Sequence, residues 1–124
     1  MEKLKTIQTL GKLNDVYRTG ERGPGGAYHT YTVARIQDEE EEGNPVVAVI
    51  RFQRGARNEP GALTGVLDAD LIEIVRDRLK CFQQGEFATT ENDCAIECLE
   101  HALQWMNRRV EDRIQRGVLG KNEK

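Results

Sequence analysis

The chain has 124 residues, 18 of them basic and 21 acidic, with 38% hydrophobic and 31% charged side chains. That length matches one domain, and so small a domain buries only about two-thirds of the surface its unfolded chain exposes, which makes self-association an expected further source of burial. A net charge of −3 speaks against binding a nucleic-acid polymer, which needs a broad basic surface. No apolar run nears the roughly 20 residues that span a bilayer, so no membrane helix is expected. Residues 1–15 lack the apolar stretch of a secretory signal.

Asp15 to Thr19 reads as an edge strand. The glycine-rich stretch that follows, Gly20 to Gly26, lacks the Lys-Ser/Thr ending of a phosphate loop and leads into no helix, so it reads as a turn. Ala27 to Ile36 is rich in β-branched and aromatic residues and predicts a strand, with Asn44 to Phe52 as its antiparallel partner. Between them, five consecutive acids from Asp38 to Glu42 predict a solvated turn. Residues 53–66 carry two arginines, three glycines and a proline. This is a connector in which Arg57 offers charge beside flexible backbone.

From Asp68 the period becomes helical. Leu71, Ile72, Val75, Leu79 and Phe82 form one stripe ending before Gly85, with Asp68 or its neighbour as the starting cap. A second helix starts at Thr90, where Thr90 and Asp93 have the spacing of a capping box. Its stripe of Ala95, Leu99, Ala102, Leu103, Met106 and Val110 runs to Gly117. With about five connecting residues, the two helices form a hairpin. The expected fold is therefore α+β: a small antiparallel sheet over residues 13–53, a loop over 54–67 and a two-helix antiparallel hairpin over 68–118, in a single domain.

Chemistry-bearing residues are few. There is no serine and there are only two histidines, His29 and His101, which excludes serine nucleophile chemistry. Cys94, Cys98 and His101 fall on one helical face with Cys81 upstream, but the knuckle spacing of structural zinc is absent, and small buried cysteines explain the pattern. No metal or cofactor is expected. Arg109, Arg113 and Arg116 share a face of the second helix and have the geometry to grip phosphate oxygens. Arginines near a helix C-terminus also suit its dipole and the neighbouring Glu111 and Asp112. Phe82 can stack on a base or close the hairpin core. Asn92 can bond a sugar or base edge or cap its helix. Two other readings stay open: a metal-assisted cyclic-nucleotide hydrolase using acids such as Glu91 or Asp112, and a small regulator that binds DNA through its hairpin.

One resemblance sharpens these alternatives. Residues 49–120 include Phe82-Gln83-Gln84-Gly85-Glu86-Phe87, then Glu91-Asn92, then Ala102-Leu103 followed by Trp105-Met106 and Arg109. They close on Asp112-Arg113 followed by Arg116-Gly117-Val118 and Gly120. This series resembles the phage Thoeris anti-defence protein one family, whose hairpin is shared with anti-CBASS protein two. The family has N-G-V-T-N ahead of the first helix, where this chain has Thr64-Gly65-Val66-Leu67-Asp68.

The resemblance implies a non-enzymatic sponge that holds cyclic ADP-ribose isomers such as glycocyclic ADP-ribose in the cytoplasm of an infected bacterium. It also implies that cyclic di- or trinucleotides are partners at a separate site, for which Arg57 is the candidate. The ligand pocket carried over comprises Phe82 on the adenine, Asn92 on the ligand's polar edge, and Arg109 with Arg113 on the pyrophosphate. Asn92 and Arg109 lie 17 positions apart on one expected helix, about 25 Å at 1.5 Å per residue. So compact a ligand cannot touch both within one protomer. A homodimer with antiparallel second helices brings one chain's Asn92 to the other's arginines in two equal pockets. Some relatives suggest a trimer of such dimers.

Overall fold

The computed structural model describes all of residues 1–124. It contains strands β1 (Glu2–Lys3), β2 (Asn14–Thr19), β3 (Thr30–Arg35) and β4 (Val46–Arg51), then helices α1 (Asp68–Phe82) and α2 (Thr90–Gln115). The fold is α+β. The chain divides into two compact units, Met1–Gly65 and Val66–Lys124, with the boundary where the sequence pattern turns from β to helical.

The first unit is a four-stranded antiparallel meander in the order β1-β2-β3-β4. Tyr17, Thr32 and Val49 align across its three longer strands, as do Arg18, Tyr31 and Ile50. Alternation puts these two rows on opposite faces. On one, Tyr31 meets Phe52 edge-on at 5.6 Å; on the other, Thr32 is buried. β2 is an interior strand rather than the expected edge, because β1 pairs with its outer side through Glu2–Arg18 and Lys3–Tyr17. Two residues with no apolar pattern gave no signal for β1. In β4, Ala48 and Val46 face consecutive residues of β3, so Val47 is an extra residue, a β-bulge.

The turns follow their composition. Pro24–Gly26 is a single 3₁₀ turn that leads into β3 and not into an α-helix. The acidic run is exposed. Beyond β4, Arg54 and Leu63 exchange two backbone hydrogen bonds of 2.9 Å, closing a small loop that carries exposed Arg57.

In the second unit, Gln83 meets Asn92 and Asp93 beside the connection. Two turns further back, Arg76 bonds Glu100 at 2.8 Å, so the helices run antiparallel. Arg76 also reaches Glu73. Its hydrogen bond to Glu100 raises its pKa above the usual arginine value, partial desolvation opposes this, and Glu73 adds to the rise. A raised pKa loses its stabilising effect only as pH climbs through it, so this group gives no pH dependence near neutrality. The half-buried seam is Leu71, Ile72 and Leu79 against Ile96, Leu99, Leu103 and Met106. α1 has 15 residues and α2 has 26, so the last turns of α2 have no α1 residue opposite them.

Both helix starts differ in detail from the sequence expectation. Leu67 occupies the cap position of α1 with no side-chain acceptor, and Asp70 Oδ2 reaches back to accept from its N–H at 2.8 Å. α2 is capped by Thr89, whose hydroxyl accepts from the Asn92 N–H at 3.0 Å, one residue earlier than the Thr90–Asp93 spacing suggested. Cys81, Cys94 and Cys98 are exposed rather than buried.

Little of this apolar surface leaves water within one chain. Val118 is the single buried hydrophobic residue, while Ile74, Phe87, Trp105 and Ile114 are 63%, 69%, 67% and 56% exposed.

Gly65 marks the tightest backbone approach. A Cβ there would lie 2.5 Å from the Phe52 carbonyl oxygen and 2.6 Å from that of Arg51, and backbone cannot move aside as a flexible side chain can. Gly65→Ala is expected to cost about 1–3 kcal/mol, read as a lowered thermal midpoint.

Candidate ligand site

The corner between the helices is organised by one amide. Gln83 Oε1 accepts from the Thr89 N–H at 2.9 Å, and its Nε2 donates to the Thr89 carbonyl and to Asp93, both at 2.8 Å. Because a backbone N–H only donates and a carbonyl only accepts, these contacts fix which end of the Gln83 amide is oxygen. Asn92 must then donate its Nδ2 to Gln83 Oε1, at 3.0 Å, with a longer contact to the Phe87 carbonyl. Its Oδ1 is left over as an acceptor for a ligand hydroxyl or amino group. Asn92 is thus the third residue of the helix, a recipient of the cap rather than the cap itself.

Phe82 is the last residue of α1, at this same corner, and is 38% exposed. The Arg78 guanidinium lies 5.1 Å from its ring centroid, a cation–π contact. One ring face is therefore occupied by Arg78. Gln83 and Arg78 were not singled out from sequence. A glutamine at the end of an apolar stripe, followed by the Thr-x-x-Asn spacing of Thr89 and Asn92, was the available signal for the first.

The arginines lie at the other end of α2. Arg109 is exposed and has no hydrogen bond, ion pair or ring contact within the chain, so its whole donor fork is available. Arg113 donates to the carbonyls of Val118, Lys121 and Glu123 at 3.0, 2.8 and 2.6 Å. Arg116 donates to Asp112 at 3.0 Å and to the Lys124 carbonyl. Three arginines that look equivalent in sequence thus play different parts: one open, one holding the C-terminal segment, one neutralised by a neighbour.

The protomer brings Phe82 and Asn92 to one end of α2 and sets Arg109 and Arg113 at the other. Arg57 belongs to the first unit, on the loop closed by Arg54 and Leu63, and also has no partner within the chain. Glu91 and Asp112 are 21 positions apart on the same helix, about 30 Å, so they cannot form an acid pair in one protomer. A groove of about 490 Å³ between the helices is lined by Ala69, Glu73, Arg76, Leu103, Met106 and Val110 among others. None of the four ligand candidates lines it.

Gln83→Ala removes four hydrogen bonds at the corner and frees the Asn92 amide. The expected cost is about 1–3 kcal/mol, seen as a lower thermal midpoint together with a mobile Asn92 side-chain amide by NMR.

The comparisons with known proteins place this hairpin. The family described as "Acb2/Tad1, hairpin domain" matches residues 44–111, more than half of the chain, and the match includes Phe82, Asn92 and Arg109. The protein named "Thoeris anti-defense 1" from Bacillus phage SBSphiJ7 is 49% identical over 78 residues, which cover 63% of this chain and 54% of that protein. The matched stretch thus spans about half the length of that relative. From the last strand through most of α2 the sequence follows this family's pattern, and the chain belongs to the Acb2/Tad1 hairpin family.

Proposed function

We propose that this chain is a phage anti-defence protein that captures a cyclic ADP-ribose-type signal of bacterial Thoeris immunity and holds it without cleaving it. The observation that carries the proposal is its 49% identity to a phage Thoeris anti-defence protein, in a chain where Phe82 and Arg109 are exposed and Asn92 and Arg113 half-buried. Phe82 would stack the adenine on the ring face that Arg78 leaves open. Asn92 Oδ1 would accept from the ligand's hydroxyl or amino edge. Arg109 and Arg113 would hold the pyrophosphate through charge-assisted hydrogen bonds.

The length of α2 gives this reading its assembly. Asn92 and Arg109 stay about 25 Å apart on a continuous helix, so the pocket needs two chains. In a homodimer with antiparallel α2 helices, Asn92 of the partner subunit would approach Arg109 and Arg113, giving two equivalent sites. The exposed Trp105, Val110 and Ile114 along α2 are the apolar surface that such pairing would remove from water. Arg57 would serve a separate site for cyclic di- or trinucleotides, and dimers would associate further in threes. The place of action would be the cytoplasm of the infected host.

A sponge must outcompete the signal's own receptor, which calls for a Kd of about 10⁻⁸ M or below, about −11 kcal/mol. Replacing Arg109 and Arg113 together by alanine should weaken capture of glycocyclic ADP-ribose by at least about a hundredfold, since hydrogen bonds to charged groups contribute about 1.5–3 kcal/mol each. Titration calorimetry measures this, with circular dichroism as the check on folding. Unaltered binding by the double variant rejects the pocket. Heating the loaded protein and analysing what it releases separates a sponge, which gives back intact ligand, from a hydrolase, which gives fragments.

The assembly has its own test. Native mass spectrometry should give an even multiple of the 14.1 kDa chain, and a lone 14.1 kDa species at micromolar concentration contradicts the two-chain pocket.

A further inference from the structure

The C-terminal segment after α2 folds back on the same guanidinium that the proposed pocket requires. Gly117, with φ of 72°, ends the helix. Its N–H bonds the Ile114 carbonyl at 3.0 Å, and the Val118 N–H bonds the Arg113 carbonyl at 2.9 Å, the Schellman arrangement. A second turn, through Gly120 at φ of 77° and the Lys121-to-Val118 hydrogen bond of 3.0 Å, brings the carbonyls of Lys121 and Glu123 round to the Arg113 side chain. Val118, the chain's one buried hydrophobic residue, anchors this segment.

The placement of the donors decides what Arg113 has left to offer. Both hydrogens of Nη2 are used, on the carbonyls of Val118 and Lys121, and Nη1 gives one to Glu123. A forked grip on a phosphate takes two parallel N–H groups from one edge of the guanidinium, either Nη1 with Nη2 or Nε with Nη2. Both edges contain Nη2. With the segment docked, neither fork is free. Only single donors remain, from Nε and from Nη1.

We infer that residues 118–124 form an internal strap that competes with an anionic ligand for Arg113, so that a bidentate phosphate grip requires residues 121–124 to release. This rests on the proposed pocket and adds a control to it. Arg109, with its donors open, would make first contact, and Arg113 would close on the phosphate as the strap leaves. The carbonyls of Val118, Lys121 and Glu123 take the place of phosphate oxygens on the guanidinium. The arrangement lowers apparent affinity by the fraction of time the strap is undocked, about tenfold for a strap docked nine-tenths of the time.

The test weakens the strap without touching Arg113. Gly120→Pro cannot adopt the positive φ of the second turn, and Gly120→Ala strains the same angle less. Neither changes α2, so helical content should stay as in the parent. Calorimetric titration with glycocyclic ADP-ribose should show up to about tenfold tighter binding for Gly120→Pro and a smaller gain in the same direction for Gly120→Ala. In the parent chain, saturating ligand should sharpen the backbone amide resonances of residues 121–124 as they leave the guanidinium.

Equal or weaker binding by both variants, while the parent binds, overturns the strap and leaves the pocket standing. No binding by the parent or by either variant overturns the pocket as well. Should Gly120→Pro lose its fold, the Gly120→Ala result alone decides between the first two outcomes.

Discussion

A straight α-helix of 26 residues is a ruler. Every backbone hydrogen bond inside it fixes a rise of 1.5 Å per residue, and nothing along α2, neither proline nor glycine, lets it fold back on itself. Groups near its two ends are therefore held about 25 Å apart whatever else the chain does. A guest of nucleotide size that needs both ends must be shared between chains. The length of α2, rather than any particular side chain, is the constraint from which the two-chain pocket of the functional proposal follows.

The two ends of the ruler are prepared in different ways. At the start, the Gln83 amide is pinned by the backbone of Thr89 and in turn orients Asn92. A side chain fixed by partners that cannot reverse their polarity loses little freedom on binding, which is the meaning of preorganisation here. At the far end, Arg109 has no partner within the chain, Arg113 bonds backbone carbonyls, and Arg116 bonds the Asp112 carboxylate and a carbonyl. A carbonyl is a weaker acceptor than a phosphate oxygen, so it can hold a guanidinium in place and still yield it to a charged guest.

The exposed apolar residues follow the same logic. A hairpin of two helices has one seam, and the side chains outside that seam must find another surface or remain in water. Ile74, Trp105, Val110 and Ile114 remain in water in the single chain. Self-association of a small domain is the usual remedy, because a chain of this size has too little interior to enclose its apolar content.

Much of this fold was legible in the sequence because its signals are local. The change from alternating to helical period near residue 66 marks the boundary between the two compact units. The strands centred on Thr32 and Val49 and the stripe from Leu71 to Phe82 declare themselves through side-chain spacing. What escaped was non-local or too short. β1 has two residues and exists because β2 offers it an open edge. The cap of α2 moved from Thr90 to Thr89 because Gln83, from the preceding helix, holds the Thr89 backbone in place. The cysteines looked like core by their spacing and are exposed, because a helical period specifies a face but not what covers it.

The spacing of the arginines fixed that they share a face, since that follows from 3.6 residues per turn alone. Which of them is open, which holds the C-terminal segment and which is paired with Asp112 depended on where the chain goes after Gly117. By itself the sequence determined the element types, the hairpin and the distance between the ends of α2, all consequences of backbone geometry acting over a few residues. Only the tertiary structure decided which polar groups keep spare donors and acceptors, because that depends on carbonyls and amides that the turns at Gly85, Gly117 and Gly120 carry back into reach.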